Sequence, residues 1–138
     1  CGLAFEHLVR CPDDPRIKPL QAILLRSLEI GLHGPGIALS ISSKTGQANS
    51  PYYPWWQMPE AIRATALGYK LTGDISLINL WKKADEAFFD NYWQPNRSFA
   101  YQARTMEGPV DYVPATPDLD PGYHTGLSLL AAIRSIQD

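Results

Sequence analysis

Helical spacing of apolar residues is the feature that most limits what this chain can fold into. Apolar side chains recur every three or four residues in several segments, as they do in helices with one buried face. The segments cover residues 19–32, 59–71, 75–93 and 122–137, with a weaker fifth at residues 3–10. Gly73 follows the second segment and Pro95 the third, and both residue types end helices. The pattern predicts an all-α protein.

Two short extended stretches separate the predicted helices. Residues 36–46 and 98–113 partly alternate with a period of two and contain glycines at turns, so each is predicted to form a small β-hairpin. The order helix, hairpin, loop, helix occurs twice, over residues 20–71 and 77–136. Because one helix pair cannot bury both of its apolar faces, such pairs are expected to stack side by side. The long aromatic and proline-rich loops favour a closed ring of pairs with a functional end.

Composition is that of one globular domain over residues 1–138, with 45% apolar and 19% charged residues. The net charge of −2, with neither sign clustered, predicts no nucleic-acid or membrane partner. No run reaches the ~18 apolar residues that a membrane span needs. Cys1 and Cys11 form neither a disulfide framework nor a metal-ligand pattern, which predicts a cytoplasmic protein without a metal. No glycine-rich phosphate loop is present, and no cofactor is expected.

Several segments of the chain resemble one known family. WWQMPEAIRATALGYKLTGD (55–74), LWKKADEAFFDNYW (80–93) and PGYHTGLSLLAAIRSI (121–136) resemble, in this order, segments of the N-acylglucosamine 2-epimerase superfamily. LLRSLEIGLHGPGIALSISSKTG (24–46) fits the helix and hairpin that precede them in that family. The likeness therefore extends over nearly the whole chain.

This resemblance implies a particular architecture. Members of the family fold as a closed (α/α)6 toroid of six helical hairpins, with sugars bound at its centre. The chain would then form a partial toroid of stacked helical hairpins, with short β-hairpins in the loops at one end. It would correspond to the C-terminal portion, and the remainder of the toroid would come from a longer chain or another subunit. Without that remainder, apolar helix flanks would stay exposed.

The resemblance also implies a sugar-binding site at the start of the second segment. Trp55 and Trp56 stand there, and flat indole rings match the apolar C–H faces of sugars. Glu60 lies one helical turn after Trp56, so its carboxylate is expected to accept sugar hydroxyls on the same side. Tyr123 corresponds to the aromatic half of an aromatic–histidine pair in the family. Without the resemblance, both tryptophans would be interpreted as residues of the core.

The family's chemistry is proton transfer beside the carbonyl of an opened sugar, carried out by two histidines. His124 matches one of them and is predicted to act as acid or base, although a histidine at a helix start also serves in capping or packing. The second histidine precedes a glutamate by three residues. In CGLAFEH, Glu6 matches that glutamate as a second site residue, but Leu3 occupies the histidine position and cannot carry a proton.

Three functions remain open on these residues. The first is a sugar epimerase or aldose–ketose isomerase. The second is a glycoside hydrolase with two carboxyl groups chosen from Glu6, Glu60, Asp118 and Asp120, although an Asp pair between prolines is typical of turns. The third is a sugar-binding relative that has lost catalysis, which Leu3 would permit.

Overall fold

The computed structural model describes residues 1–111 and 123–137 and contains helices joined by short strands. The α-helices are α1 (Gly2–Leu8), α2 (Ile17–Gly31), α3 (Gln57–Thr72), α4 (Ile75–Asn91) and α5 (Ser128–Gln137), the last preceded by a π-helical turn, Tyr123–Leu127. The strands are β1 (Leu32–His33), β2 (Gly36–Ile37), β3 (Tyr53–Pro54), β4 (Trp93–Gln94), β5 (Phe99–Ala100), β6 (Ala103–Thr105) and β7 (Gly108–Val110). The helices lie close to the segments that the apolar spacing indicates.

Small antiparallel sheets make the fold mixed α/β, so the prediction of an all-α protein is wrong. The structure is 56% helical and 14% strand. β1 pairs with β2, β4 pairs with β5, and a third sheet has the order β3–β6–β7. In that sheet Tyr53 lies opposite Arg104, so the strand just before α3 pairs with a segment beyond α4. Local periodicity cannot reveal this pairing, because it joins residues far apart in the sequence.

The other helices gather around one central helix, α3. The prediction of a partial toroid of stacked helical hairpins is therefore also wrong. α3 packs against α1, α2, α4 and α5. All residues from 61 to 68 are buried, whereas the apolar spacing predicted helices with one buried face. The small residues alanine and glycine let neighbouring helices approach α3 from several sides.

Large apolar side chains fix the position of the aromatic segment before α3. Phe5, Met58, Leu77, Phe88 and Tyr92 have no exposed side-chain surface. The Tyr92 hydroxyl, at the end of α4, donates to the Tyr53 carbonyl oxygen at 3.1 Å. This hydrogen bond ties β3 to the end of α4 and so fixes the position of residues 55 and 56, which connect β3 to α3.

A tight connection joins α3 to α4. Gly73 has a φ of 67°, the left-handed conformation that glycine adopts readily at the end of a helix. Asp74 then caps α4: its carboxylate accepts from the Ser76 hydroxyl at 2.6 Å and the Ser76 backbone N–H at 2.9 Å. Gln21 of α2 donates to the same carboxylate at 2.6 Å. These hydrogen bonds hold the pKa of Asp74 below its ordinary value of 3.8.

Replacing Asp74 by alanine should lower the melting temperature at neutral pH, because the N-cap and the link to Gln21 are lost together. The folded pKa is depressed, so the ionised carboxylate stabilises the protein above its unfolded pKa. That stabilisation disappears as the pH falls through the folded value. The difference in melting temperature between wild type and D74A should therefore shrink below about pH 3.8. Asp13→Ala, at an exposed position, is the control; an equal loss there would contradict the capping role.

Candidate functional site

The Glu60 carboxylate, in the first turn of α3, is the centre of a polar network. Its Oε1 atom lies 3.2 Å from Nδ1 of His124 and accepts from the Ser128 hydroxyl at 3.3 Å. Its Oε2 atom accepts from Nη2 of Arg63. The Glu60 side chain is 28% exposed. Both oxygens are thus held by side chains from α3, the π-helical turn and α5.

A buried arginine connects Glu60 to α1. Arg63 is 3% exposed, and its Nη1 atom lies 3.6 Å from Oε2 of Glu6. Gly2 makes room for it, because a Cβ atom there would stand 2.9 Å from Nε of Arg63. One guanidinium therefore faces two carboxylates, which provides the charge balance that a buried ion requires. Glu6 is half exposed, at 52%, and forms the solvent end of the network.

His124 lies between this polar network and the aromatic rings of Trp55 and Tyr123. Its ring meets the Trp55 ring edge-on, with centroids 6.2 Å apart, and the Tyr123 ring at 5.0 Å. The side chain is 38% exposed, so solvent or a small molecule can reach it. When Nδ1 carries the proton that it shares with Glu60, Nε2 is the basic atom of the imidazole. This arrangement suits general acid–base chemistry.

The two tryptophans take different positions. Trp55 is only 4% exposed, and its Nε1 atom donates to Oε1 of Gln102 at 3.0 Å. Trp56 meets Trp55 edge-on, with centroids 6.5 Å apart, and is partly exposed. Trp55 therefore backs the His124 ring from inside the protein, whereas Trp56 packs against the core and keeps part of its indole surface exposed.

The structure brings most of the predicted site residues together. His124, Glu60, Trp55 and Tyr123 share contacts, and Glu6 joins them through Arg63. Leu3 is exposed and lies along the same face of α1 as Glu6.

Sequence reasoning missed three members of the site: Arg63, Ser128 and Gln102. For Arg63 and Ser128, the spacing in the sequence could have indicated a place in the site. Arg63 follows Glu60 by three residues and Ser128 follows His124 by four, which are the spacings at which helical side chains meet. No sequence pattern indicated Gln102, because its position beside Trp55 depends on the pairing of β6 with β3.

The remaining candidates lie elsewhere. Asp118 and Asp120 fall outside the described residues. His7 lines a groove between α1 and α2, and His33 meets the Tyr53 hydroxyl at 3.3 Å through Nδ1. Within the described parts of the chain, no three histidine, cysteine or acidic side chains gather as a metal site would require.

Comparisons of the chain with protein-family models, with curated proteins and with solved structures gave no match. No helix in residues 1–111 or 123–137 combines the length and apolar character needed to cross a bilayer. The function must therefore be argued from the site itself.

Proposed function

We propose that this protein is a carbohydrate isomerase related to the N-acylglucosamine 2-epimerase superfamily, and that His124 transfers a proton next to the carbonyl of an opened sugar. The observation that carries the proposal is the 3.2 Å contact between Nδ1 of His124 and Glu60. A carboxylate in this position fixes both the orientation and the tautomer of an imidazole. Location in the cytoplasm is part of the proposal.

A single imidazole favours aldose–ketose isomerisation over epimerisation. Epimerisation at one carbon returns the proton to the opposite face, which calls for a second acid or base. The chain has three histidines, and His7 and His33 have contacts outside the network of Glu60. Leu3 stands where the resemblance implied a second histidine. Isomerisation needs one base, because the proton can return on the face from which it left.

The proposed reaction transfers two hydrogens within the substrate. His124 takes the proton from C2 of the open-chain aldose, the C–H electrons form the C1–C2 double bond, and the carbonyl electrons move to O1. The imidazolium then returns a proton to C1, after that proton has partly exchanged with solvent. The proton of the C2 hydroxyl moves to O1 as the carbonyl forms at C2, which completes the ketose. No oxidant or reductant is consumed.

The other site residues have supporting roles in this scheme. Trp56 and Tyr123 offer aromatic surface to the sugar ring. The exposed part of Glu6 accepts a sugar hydroxyl. Arg63 holds the Glu60 carboxylate in place against His124. A glycoside hydrolase is less well supported, because both Glu60 oxygens are already bonded to Arg63, His124 and Ser128.

Incubation of unmodified aldoses and ketoses with the protein in deuterium oxide tests the proposal directly. We expect hydrogen at C2 of the aldose to exchange with solvent and the matching ketose to form, both followed by NMR. Cleavage of an aryl glycoside without exchange would indicate a hydrolase instead. Quenching of tryptophan fluorescence by a sugar without either reaction would indicate a binding protein that has lost catalysis.

The proposal also includes further polypeptide, from a longer chain or another subunit, that covers exposed apolar side chains of α5. α5 buries its small residues Ser128, Ala132 and Ser135 against the rest of the protein. It leaves four apolar side chains 40% to 53% exposed: Leu127, Leu130, Ile133 and Ile136. Several exposed apolar side chains on one helix are typical of a surface that other protein covers.

With a second copy of the chain as the covering subunit, replacing Ile133 and Ile136 together by glutamate should abolish self-association and leave the melting temperature of the monomer nearly unchanged, because both side chains are exposed. Light scattering coupled to size exclusion would measure the molar mass. Ile75→Glu, at an exposed position on α4, serves as the control. A monodisperse wild-type monomer at high concentration would argue against a second copy of the chain as the covering subunit.

A further inference from the structure

A groove of about 360 Å³ runs between α1, α3 and α5 on the side of the protein that holds Glu6. Apolar side chains form much of its walls, among them Leu3, Leu67 and Leu130. Its charged residues are mostly basic: Arg63, Lys70 and Arg134 face one carboxylate, Glu6. Because Glu60 also pairs with Arg63, two carboxylates face these three basic side chains, which leaves one formal positive charge in excess.

The basic residues of the groove differ in how they are paired. Arg63 already contacts both Glu6 and Glu60. Arg134 is exposed and has no hydrogen bond or ion pair with any described residue, so its guanidinium can contact a ligand in the groove. In the second groove, between α1 and α2, the arginine of the lining is Arg16, and Asp14 neutralises it at 2.7 Å. Only the first groove therefore offers an arginine whose charge the described residues leave unbalanced.

This groove is continuous with the candidate site. Arg63 and Tyr123 line the groove, and they also contact Glu60 and His124, respectively. Lys70 follows Arg63 by seven residues, which is two turns of α3, so it lies on the same side of the helix about 10 Å further along. A sugar with its reacting end at His124 would thus direct its far end toward Lys70 and Arg134.

We infer that the groove between α1, α3 and α5 binds an anionic group, phosphate or carboxylate, through Lys70 and Arg134, and that the sugar handled at His124 is an acidic one. The substrate class would be a sugar phosphate or a sugar acid. The second half of this inference rests on the proposed function, whereas anion binding by the groove does not. Arginine suits this role because its planar fork matches the oxygens of both groups.

Binding measurements with four probes test the inference: glucose, glucose 6-phosphate, glucuronate and inorganic phosphate. We expect at least one acidic sugar to bind about tenfold more tightly than glucose, with an affinity that falls as salt is added. Inorganic phosphate should compete with it. Arg134→Gln and Lys70→Gln should each reduce the affinity for the acidic sugar several-fold and leave glucose binding unchanged. Lys83→Gln, at an exposed position on α4, is the matched control and should change nothing.

The outcomes separate this inference from the proposed function. Equal affinities for neutral and acidic sugars, or an Arg134→Gln variant that binds the acidic sugar normally, would overturn the anionic site. Exchange at C2 of neutral sugars alone would overturn the assignment of an acidic substrate, while leaving the isomerase proposal intact. Anion binding that depends on Arg134, without any hydrogen exchange, would support the groove and count against the isomerase.

Discussion

Replacing His124 by glutamine should reduce hydrogen exchange at C2 of the substrate by about 100- to 10,000-fold, the range that a positioned acid or base contributes. The glutamine amide can still meet Oε1 of Glu60, which now lies 3.2 Å from Nδ1 of the histidine. The packing against Trp55 is therefore largely preserved, and the loss reports on proton transfer rather than on folding. NMR of the substrate in deuterium oxide measures the rate, and circular dichroism confirms that the variant is folded.

His7→Gln provides the matched control for this experiment. His7 is exposed and lines the groove between α1 and α2, so its removal should leave the exchange rate unchanged. An H124Q variant that exchanges hydrogen at the wild-type rate would remove His124 from the mechanism. The proton would then have to be carried by a group outside the network of Glu60.

Replacing Arg63 by leucine should destabilise the protein by about 3 kcal/mol, because it leaves two carboxylates without their shared cation. Arg63 is 3% exposed, and its guanidinium lies between Glu60 and Glu6. Urea unfolding measures the loss. The same variant should also slow hydrogen exchange at C2, since Glu60 would no longer be held against His124.

Arg26→Leu is a close control, because Arg26 and Glu29 have the same spacing along a helix as Glu60 and Arg63, in the opposite order. Their ion pair, at 2.8 Å, joins side chains that are 67% and 69% exposed. An exposed pair of this kind contributes at most about 1 kcal/mol. Adding Glu60→Gln to R63L should recover part of the lost stability, since it removes one uncompensated charge. Equal losses for R63L and R26L would show that burial of Arg63 has no energetic consequence.

The sequence alone was sufficient to locate the helices. The helical spacing lies within each segment, and terminal residues such as Gly73 and Pro95 follow shortly after it, so each segment carries its own signal. The same spacing misjudged α3, whose residues 61–68 are buried on all sides. Whether an alanine faces a neighbouring helix or solvent is decided by what packs there, and alanine suits both situations.

Some residues of the candidate site could likewise be identified from the sequence, and others only from the structure. The resemblance and the residue types identified His124, Glu60 and Trp55, and the structure brings these three into contact. Arg63 was overlooked because an arginine next to a glutamate on a helix usually belongs to a solvated face. Only the approach of α1, where Gly2 leaves space for its guanidinium, makes it a buried link between two carboxylates.

What the sequence determined by itself is therefore local: the helical segments, the turn residues between them, and the residue types of the candidate site. Tertiary structure alone decided that β3 pairs with β6, that α3 lies at the centre, and that His124 meets Glu60 from 64 residues away. The physical reason is that helices form through contacts three or four residues apart. Sheets, buried charges and sites depend on contacts between distant segments, which no local pattern records.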